Sequence, residues 1–502
     1  MTTTRRFYVT TAIAYVNGDP HVGHALELVQ ADVLARHRRS RGDDVRFLTG
    51  TDDNALKNVA AAEAAGVPVA QFVAENASRF AALVGPLQLS NDDFIRTSTD
   101  ARHRPGVERL WRACAAAGDL YERDYEGLYC VGCEAFIAPD ELEDGFCAEH
   151  RQAPERVVER NWFFRLSRYA DELRELLADG RLRIEPPHRR NEVLALVGSG
   201  LADFSVSRPA GRARGWGIPV PGEPSQVVYV WFDALGNYIT ALDYASDGAL
   251  YREWWRASDQ RLHAIGKGIV RFHAVYWPAI LLSAGEPLPT TIFVHDYLTV
   301  DGQKISKSLG NAVDPTSLVA RYGADALRWW LLRDVPRAGD ADFREELLAA
   351  RANELANGLG NLIARTIALV ARNRPGGVAN AARPAEAETV AALCGGVGGA
   401  IDEALGAFDF RAATGALWEV VVEANRFVSA TRPWELAKAE RAGDADAGAR
   451  LDGVLGTLVA ACRTIASELT PFLPGASERI VAALDASDGD AARTLFPKFG
   501  PA

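Results

Sequence analysis

The residues best equipped for chemistry fall into three groups. Near the start, Pro20-His21-Val22-Gly23-His24 sets two imidazoles around a glycine, just after the turn Asn17-Gly18-Asp19-Pro20. A helical pattern follows from about His24 to Arg38, so this group stands where a strand hands over to a helix. The open amides of a helix start favour phosphate. Gly23 lets a ligand approach the backbone closely, and His21 and His24 add donors for phosphate oxygens as charge builds. Much later, Asp301-Gly302-Gln303-Lys304-Ile305-Ser306-Lys307-Ser308-Leu309-Gly310-Asn311 places two lysines three apart in a loop rich in glycine and serine. A mobile cationic loop of this kind can hold a triphosphate through a displacement. Lysine is scarce in this chain, six against 49 arginines, which singles out Lys304 and Lys307. Taken alone, each group reads more often as surface or structural residues; their joint presence carries the weight.

The third group is Cys130-x-x-Cys133 followed by Cys147-x-x-His150, with thirteen residues between the pairs. Three thiolates and an imidazole at these spacings match a closed tetrahedral structural zinc site, one per chain. Cys114, Cys394 and Cys462 are scattered in apolar, alanine-rich surroundings and read as inert core thiols.

The elements that position these groups must come from a multidomain chain. At 502 residues, two to four domains are expected. A composition of 48% hydrophobic and 24% charged residues is that of a globular protein, and it excludes disordered, collagen-like and disulfide-scaffold classes. No apolar run is long enough for a membrane span. The apolar N-terminal run ends at Asn17-Gly18-Asp19-Pro20 without a cleavage site, so it reads as a buried first strand of a cytoplasmic protein. A net charge of −11 argues against indiscriminate coating of nucleic acid.

Arg6 to Val16 reads as a strand, Val45 to Thr49 as a second, and the polar loop Gly50-Thr51-Asp52-Asp53-Asn54 follows it. Strand–loop–helix alternation predicts an α/β fold with a doubly wound parallel sheet. The rhythm changes between 120 and 215, where the cysteines lie. Strand signals resume at Val227-Val228-Tyr229-Val230 and Thr291-Ile292-Phe293-Val294, and from 345 onward nearly everything has helical period. The expected domains are 1–119 and 216–300 for the two halves of the sheet domain, 120–215 for an insertion, 301–344 for the lysine loop and a stem, and 345–502 for a helical bundle.

His-Val-Gly-His and Lys-Ile-Ser-Lys-Ser together resemble the two signature motifs of class I aminoacyl-tRNA synthetases. Within that class the chain resembles the methionyl-tRNA synthetases over nearly its whole length. Supporting segments include Ala12-Ile13-Ala14-Tyr15-Val16-Asn17-Gly18, Tyr129-Cys130-Val131-Gly132-Cys133, Tyr229-Val230-Trp231-Phe232-Asp233-Ala234-Leu235 and Arg432-Pro433-Trp434-Glu435-Leu436. The resemblance implies a split Rossmann-type catalytic domain, a zinc-knuckle insertion and an α-helical anticodon-binding bundle. It implies ATP with magnesium, L-methionine and tRNA(Met) as partners; the given sequence stops near residue 502, without the extra C-terminal dimerisation module some members carry, so a monomer is expected. His21, His24, Lys304 and Lys307 then make the catalytic phosphate contacts, with Gly23, Gly266 and Ile305 completing the ATP site. The methionine pocket is Ala12, Ile13, Tyr15, Trp231, Ala234, Leu235, Tyr238, Ile269 and His273, with Asp52 on the substrate ammonium. In it Tyr238 and His273 offer donors to the thioether sulfur. Asn357, Asn361, Arg365 and Trp434 fall to anticodon reading, the first three at helical spacing along one face.

The chain departs from the family pattern in two places. Asp53-Asn54-Ala55 stands where Glu-His-Gly is usual, and Gly268 replaces a carboxylate that would hold the ribose of ATP. Unless water or Asp233 compensates, a raised ATP Michaelis constant is expected. Two rivals are another class I synthetase, of the isoleucine, valine, leucine or cysteine group, and a synthetase-derived protein that binds without charging. The roughly 95-residue insertion is too short for a large editing domain, and retention of both histidines and both lysines argues against lost chemistry.

Overall fold

The computed structural model describes residues 4–130, 135–137, 139–148, 151–305 and 310–499. The chain forms two compact units. One comprises Met1–Val84, Leu89–Asp296 and Lys307–Ala312; the other comprises Gly85–Gln88, Tyr297–Ser306 and Val313–Ala502.

The first unit is built on a seven-stranded parallel sheet. Its strands β1 (Arg6–Thr11), β2 (Ala14–Tyr15), β3 (Asp44–Asp52) and β4 (Asp93–Arg96) come from the N-terminal segment. Across the sheet the order is Arg183–Glu185, Thr291–His295, Gln260–Gly266, β1 and β3, with β2 and β4 both pairing β3. Val9 and Phe47 lie opposite each other and both are fully buried, as expected where helices cover both faces. Helix α1 (Val22–Ser40) makes the β1–β3 crossover and buries Val22, Leu26, Val29 and Val33. At Gly50 a Cβ would lie 2.2 Å from the Ile95 carbonyl oxygen, so only glycine lets β3 and β4 meet there.

The first strand is shorter than the sequence suggests. β1 stops at Thr11; the Ala12 amide still bonds Ala264 O at 3.0 Å, and the chain then shifts so that Ala14 and Tyr15 pair Thr51 and Asp52. That crossing leaves Ala12 and Ile13 at the mouth of the sheet, packed against its apolar cluster.

The insertion is antiparallel. β5 (Leu120–Cys130) pairs Glu155–Phe164 along most of its length, with Ala135–Ile137 and Phe204–Ser205 at the edges.

In the second unit, a short hairpin (Leu298–Val300 with Gln303–Lys304) precedes a series of helices from Pro315 onward. Arg328 is fully buried and donates to the carbonyls of Leu87, Pro471 and Phe472, which ties the Gly85–Gln88 segment into this unit. A buried cation needs acceptors, and these three carbonyls supply them.

Candidate active site

In the parallel sheet, the carboxyl ends of Thr291–His295, Gln260–Gly266, β1 and β3 lie side by side. Ligands of such sheets bind beyond those ends. There the structure brings together Ala12 and Ile13 after β1, Asp52 ending β3, Gly266 and Ile269 around the turn after Gln260–Gly266, and His295.

His21 caps α1 with its side chain. Its Nδ1 accepts the Gly23 N–H at 3.1 Å, and His24 Nδ1 accepts the His21 N–H at 3.0 Å. The two rings lie against each other with centroids 3.9 Å apart, and His24 meets the edge of Phe80. An Nδ1 that accepts carries no proton, so each neutral imidazole holds its proton on Nε2. Burial pushes His21 down to about 4. Burial, with His21 and His295 adding to it, pushes His24 well below its ordinary value. Both are therefore neutral donors at physiological pH. Gly23 has a second reason to be glycine, since a Cβ would come within 2.9 Å of the His21 ring.

One turn along, Glu27 accepts from His295 Nε2 at 2.9 Å while His295 Nδ1 faces Asp296 O at 2.9 Å. Burial opposes charge on His295, but the bond and charge of Glu27 outweigh it and raise the imidazole pKa. Sequence reasoning missed this pair. Glu27 lies three residues after His24 on the same helix face, which was the available signal.

The apolar residues expected around the amino acid form one cluster: Trp231, Ala234, Leu235 and Tyr238 from helix Val230–Thr240, with Ala12, Ile13, Tyr15 and Ile269 packed against them. Trp231 stacks face to face on Phe272 at 3.7 Å. His273 Nδ1 meets Ile269 O at 2.9 Å and Nε2 meets Tyr238 Oη at 2.7 Å. Because a carbonyl only accepts, Nδ1 carries the proton and Tyr238 donates to Nε2. Of the two groups expected to donate to sulfur, His273 thus uses its proton on Ile269 O and Tyr238 uses its own on His273 Nε2. Asp52 is buried and takes the Asn54 amide on Oδ1 at 3.2 Å.

A family model described as "tRNA synthetases class I (M)" matches residues 7–147 and 133–367. A methionine–tRNA ligase of Brucella suis is 42% identical over 95% of this chain and 91% of its own length. One from Mycobacterium tuberculosis is 43% identical with the same coverage. The solved M. tuberculosis methionyl-tRNA synthetase in complex with methionyl-adenylate superposes with a TM-score of 0.91 at 40% identity, covering 99% of this chain and 98% of that one.

The chain belongs to the methionyl-tRNA synthetases. Its departures from the pattern of methionyl-tRNA synthetases now have a geometry. Asn54 Nδ2 donates to Asp233 Oδ2 at 2.8 Å. Asp53 takes bonds from Thr51, Ser98 and Arg96; burial raises its pKa while those partners pull against the shift. Asp233 is fully buried and already held by Asn54 and His103, which leaves it poorly placed to stand in for the carboxylate expected at Gly268.

The remaining synthetase residues belong to the other unit or to the insertion. Lys304 ends a strand rather than lying in a mobile loop: Asp301 and Gly302 turn the hairpin with φ of 52° and 70°, and Asp342 accepts from Gly302 N and Thr299 Oγ1. Its ammonium lies 4.7 Å from the Tyr297 ring centre, and Ile305 beside it is buried. Ser306 and Lys307 lie outside the described residues. Asn361 and Arg365 share a face of helix Asn361–Asn373, and the Arg365 guanidinium lies 5.9 Å from the ring of exposed Trp434. Asn357 does not continue their α-helical spacing, because Leu355–Gly360 forms a wider π-turn. Gly358 lies against Trp418, and its carbonyl accepts from Asn425. Cys130 and Cys147 are buried at strand ends of the insertion, while Cys133 and His150 lie outside the described residues.

Proposed function

We propose that this methionine–tRNA ligase activates L-methionine at the carboxyl edge of its parallel sheet. A carboxylate oxygen of methionine attacks the α-phosphorus of ATP, the bond to the bridging oxygen breaks, and pyrophosphate leaves. A terminal ribose hydroxyl of tRNA(Met) then takes the aminoacyl group from methionyl-adenylate, releasing AMP. The observation that carries this reading is the helix start of α1, where two imidazoles are held neutral with Nε2 as donor. Such donors stabilise charge building on phosphate oxygens without adding a proton that methionine's carboxylate would compete for. The family resemblance assigns Lys304, Ile305 and Lys307 to the ATP phosphates as well, and magnesium enters with ATP. Gly23 and Gly266 complete the nucleotide site.

Asp52 holds the substrate ammonium, and Ala12, Ile13, Tyr15, Trp231, Ala234, Leu235, Tyr238, Ile269 and His273 surround its side chain. A polarisable thioether suits an aromatic slot of this kind. Asn357, Asn361, Arg365 and Trp434 read the CAU anticodon. Cys130, Cys133, Cys147 and His150 hold one zinc that pins the insertion, a donor set of the right chemistry, two of whose thiols are buried. The protein acts as a cytoplasmic monomer; among the described residues, no helix is long and apolar enough to cross a membrane.

ATP–pyrophosphate exchange across the standard amino acids tests the activation step. Methionine should be preferred by at least about a hundredfold over leucine and isoleucine; preference for another amino acid would overturn the reading.

A further inference from the structure

A buried chain of hydrogen bonds runs between the loop bearing Asp52 and the helix bearing the side-chain pocket, and no role given above uses it. Asn54 spans two carboxylates. Its backbone N–H donates to Asp52 Oδ1 at 3.2 Å, and its side-chain amide donates to Asp233 Oδ2 at 2.8 Å. Asp233 lies in the first turn of Val230–Thr240, between pocket residues Trp231 and Ala234. Its other oxygen meets His103 Nε2 at 2.5 Å, and His103 Nδ1 meets Thr240 Oγ1 at 2.8 Å. One imidazole therefore staples the first turn of the pocket helix to its last.

His103, Asp233 and Thr240 are fully buried and Asn54 nearly so. A carboxylate removed from water must have its hydrogen bonds made, so losing a donor shifts the group instead of leaving it idle. Packing enforces the same contact. His103 opens helix α4 (His103–Ala116), after α2 (Leu56–Ala65) and α3 (Val69–Ala81), and one turn along at Gly106 a Cβ would fall 2.4 Å from Thr240. Only a glycine lets α4 press this closely on the pocket helix.

We infer that Asn54, Asp233 and His103 are positioning residues that hold Asp52 in register with the pocket helix and so set the affinity for the amino acid. This rests on the reading of Asp52 as the ammonium ligand. None of the three touches the reacting atoms.

The test is ATP–pyrophosphate exchange with kcat and KM separated. Asn54→Ala should raise the methionine KM about tenfold, the scale of one charge-assisted hydrogen bond, with kcat and the ATP KM within about twofold of the wild type. His103→Ala should do the same. His103→Gln, whose amide can reach where Nε2 stood, should restore most of the affinity. The Asn54→Ala/His103→Ala pair should cost less than the product of the single effects, as coupled members of one chain do. A lower unfolding midpoint with unchanged methionine KM in Asn54→Ala would make the chain merely structural and overturn the inference. Asp52→Asn separates the two ideas. If it leaves the methionine KM unchanged, the ammonium reading fails. If it raises that KM while Asn54→Ala and His103→Ala do not, the ammonium reading stands and the positioning role is wrong.

Discussion

His21 does two jobs that can be pulled apart. Its Nδ1 caps α1, and its Nε2 is left for the phosphate contact proposed above. Asparagine is as good an N-cap as any residue but offers no donor in that direction, whereas alanine loses the cap as well. His21→Asn should keep stability within about 0.5 kcal/mol of the wild type, while His21→Ala should lose about 1 kcal/mol. Both should slow exchange by about a hundredfold. Thermal unfolding beside exchange rates decides this, and a large stability loss in His21→Asn would mean that the ring stabilises the fold by more than its cap. The same ring sets a pH dependence. Because its folded-state pKa is depressed from 6.5 to about 4, the stability it contributes is complete above about pH 6.5 and is lost as pH falls toward 4. His295, raised instead, runs the other way, losing its contribution as pH climbs through its folded value. The His21 part is isolated by comparing wild type with His21→Asn in urea at about pH 7 and about pH 5. The stability gap should move against the wild type at the lower pH, and a gap independent of pH would contradict the burial of the ring. In the sequence, the residue types and spacing of this motif were legible. The tautomer, the contact between the two rings and the neighbouring Glu27–His295 pair were not, because contacts between segments far apart in the chain leave no local period.

At the scale of elements, alternation and period located the strands and helices, while tertiary pairing decided their ends. The run from Arg6 to Val16 has uniform strand propensity, yet the chain changes partner after Ala12 because β3 extends past β1 and offers Thr51 and Asp52 for pairing. Asp301-Gly302 carried a hairpin signal beneath its loop-like composition. The π-turn at Leu355–Gly360 was hidden because ordinary helical spacing was assumed through two glycines whose missing side chains admit Trp418 and Phe496. Trp434, in the first turn of Pro433–Arg441, is exposed beside Arg365, which leaves its ring open to the base stacking proposed above. Trp434→Ala should reduce kcat/KM for tRNA by roughly 5–150-fold, a loss of about 1–3 kcal/mol, with tRNA-free exchange nearly intact. Equal losses in both assays would point to misfolding instead. The insertion should carry one zinc per chain, released by Cys130→Ser or Cys147→Ser with loss of stability in the insertion. Metal analysis of carefully prepared protein showing no zinc would remove the proposed site.

For the whole molecule, the reading proposed above joins amino-acid activation at the parallel sheet of one unit to residues of the other, differently built unit. A parallel sheet suits the first task because its strand ends gather Ala12, Asp52, Gly266 and His295 from four separate segments of chain. A run of helices suits the second because it presents exposed side chains such as Asn361 and Trp434 along a stiff surface. The central claim is joined activity, activation followed by transfer to tRNA. The most direct measurement is charging of tRNA with methionine by the intact protein, using a transcript with a CAU anticodon and the same transcript with that triplet replaced. Methionine should be transferred to the CAU transcript in an ATP-dependent way, and replacing the triplet should cut the rate by about a hundredfold or more, since several base contacts are lost together. Methionine-dependent exchange without transfer to either transcript, or equal charging of both, would contradict the account.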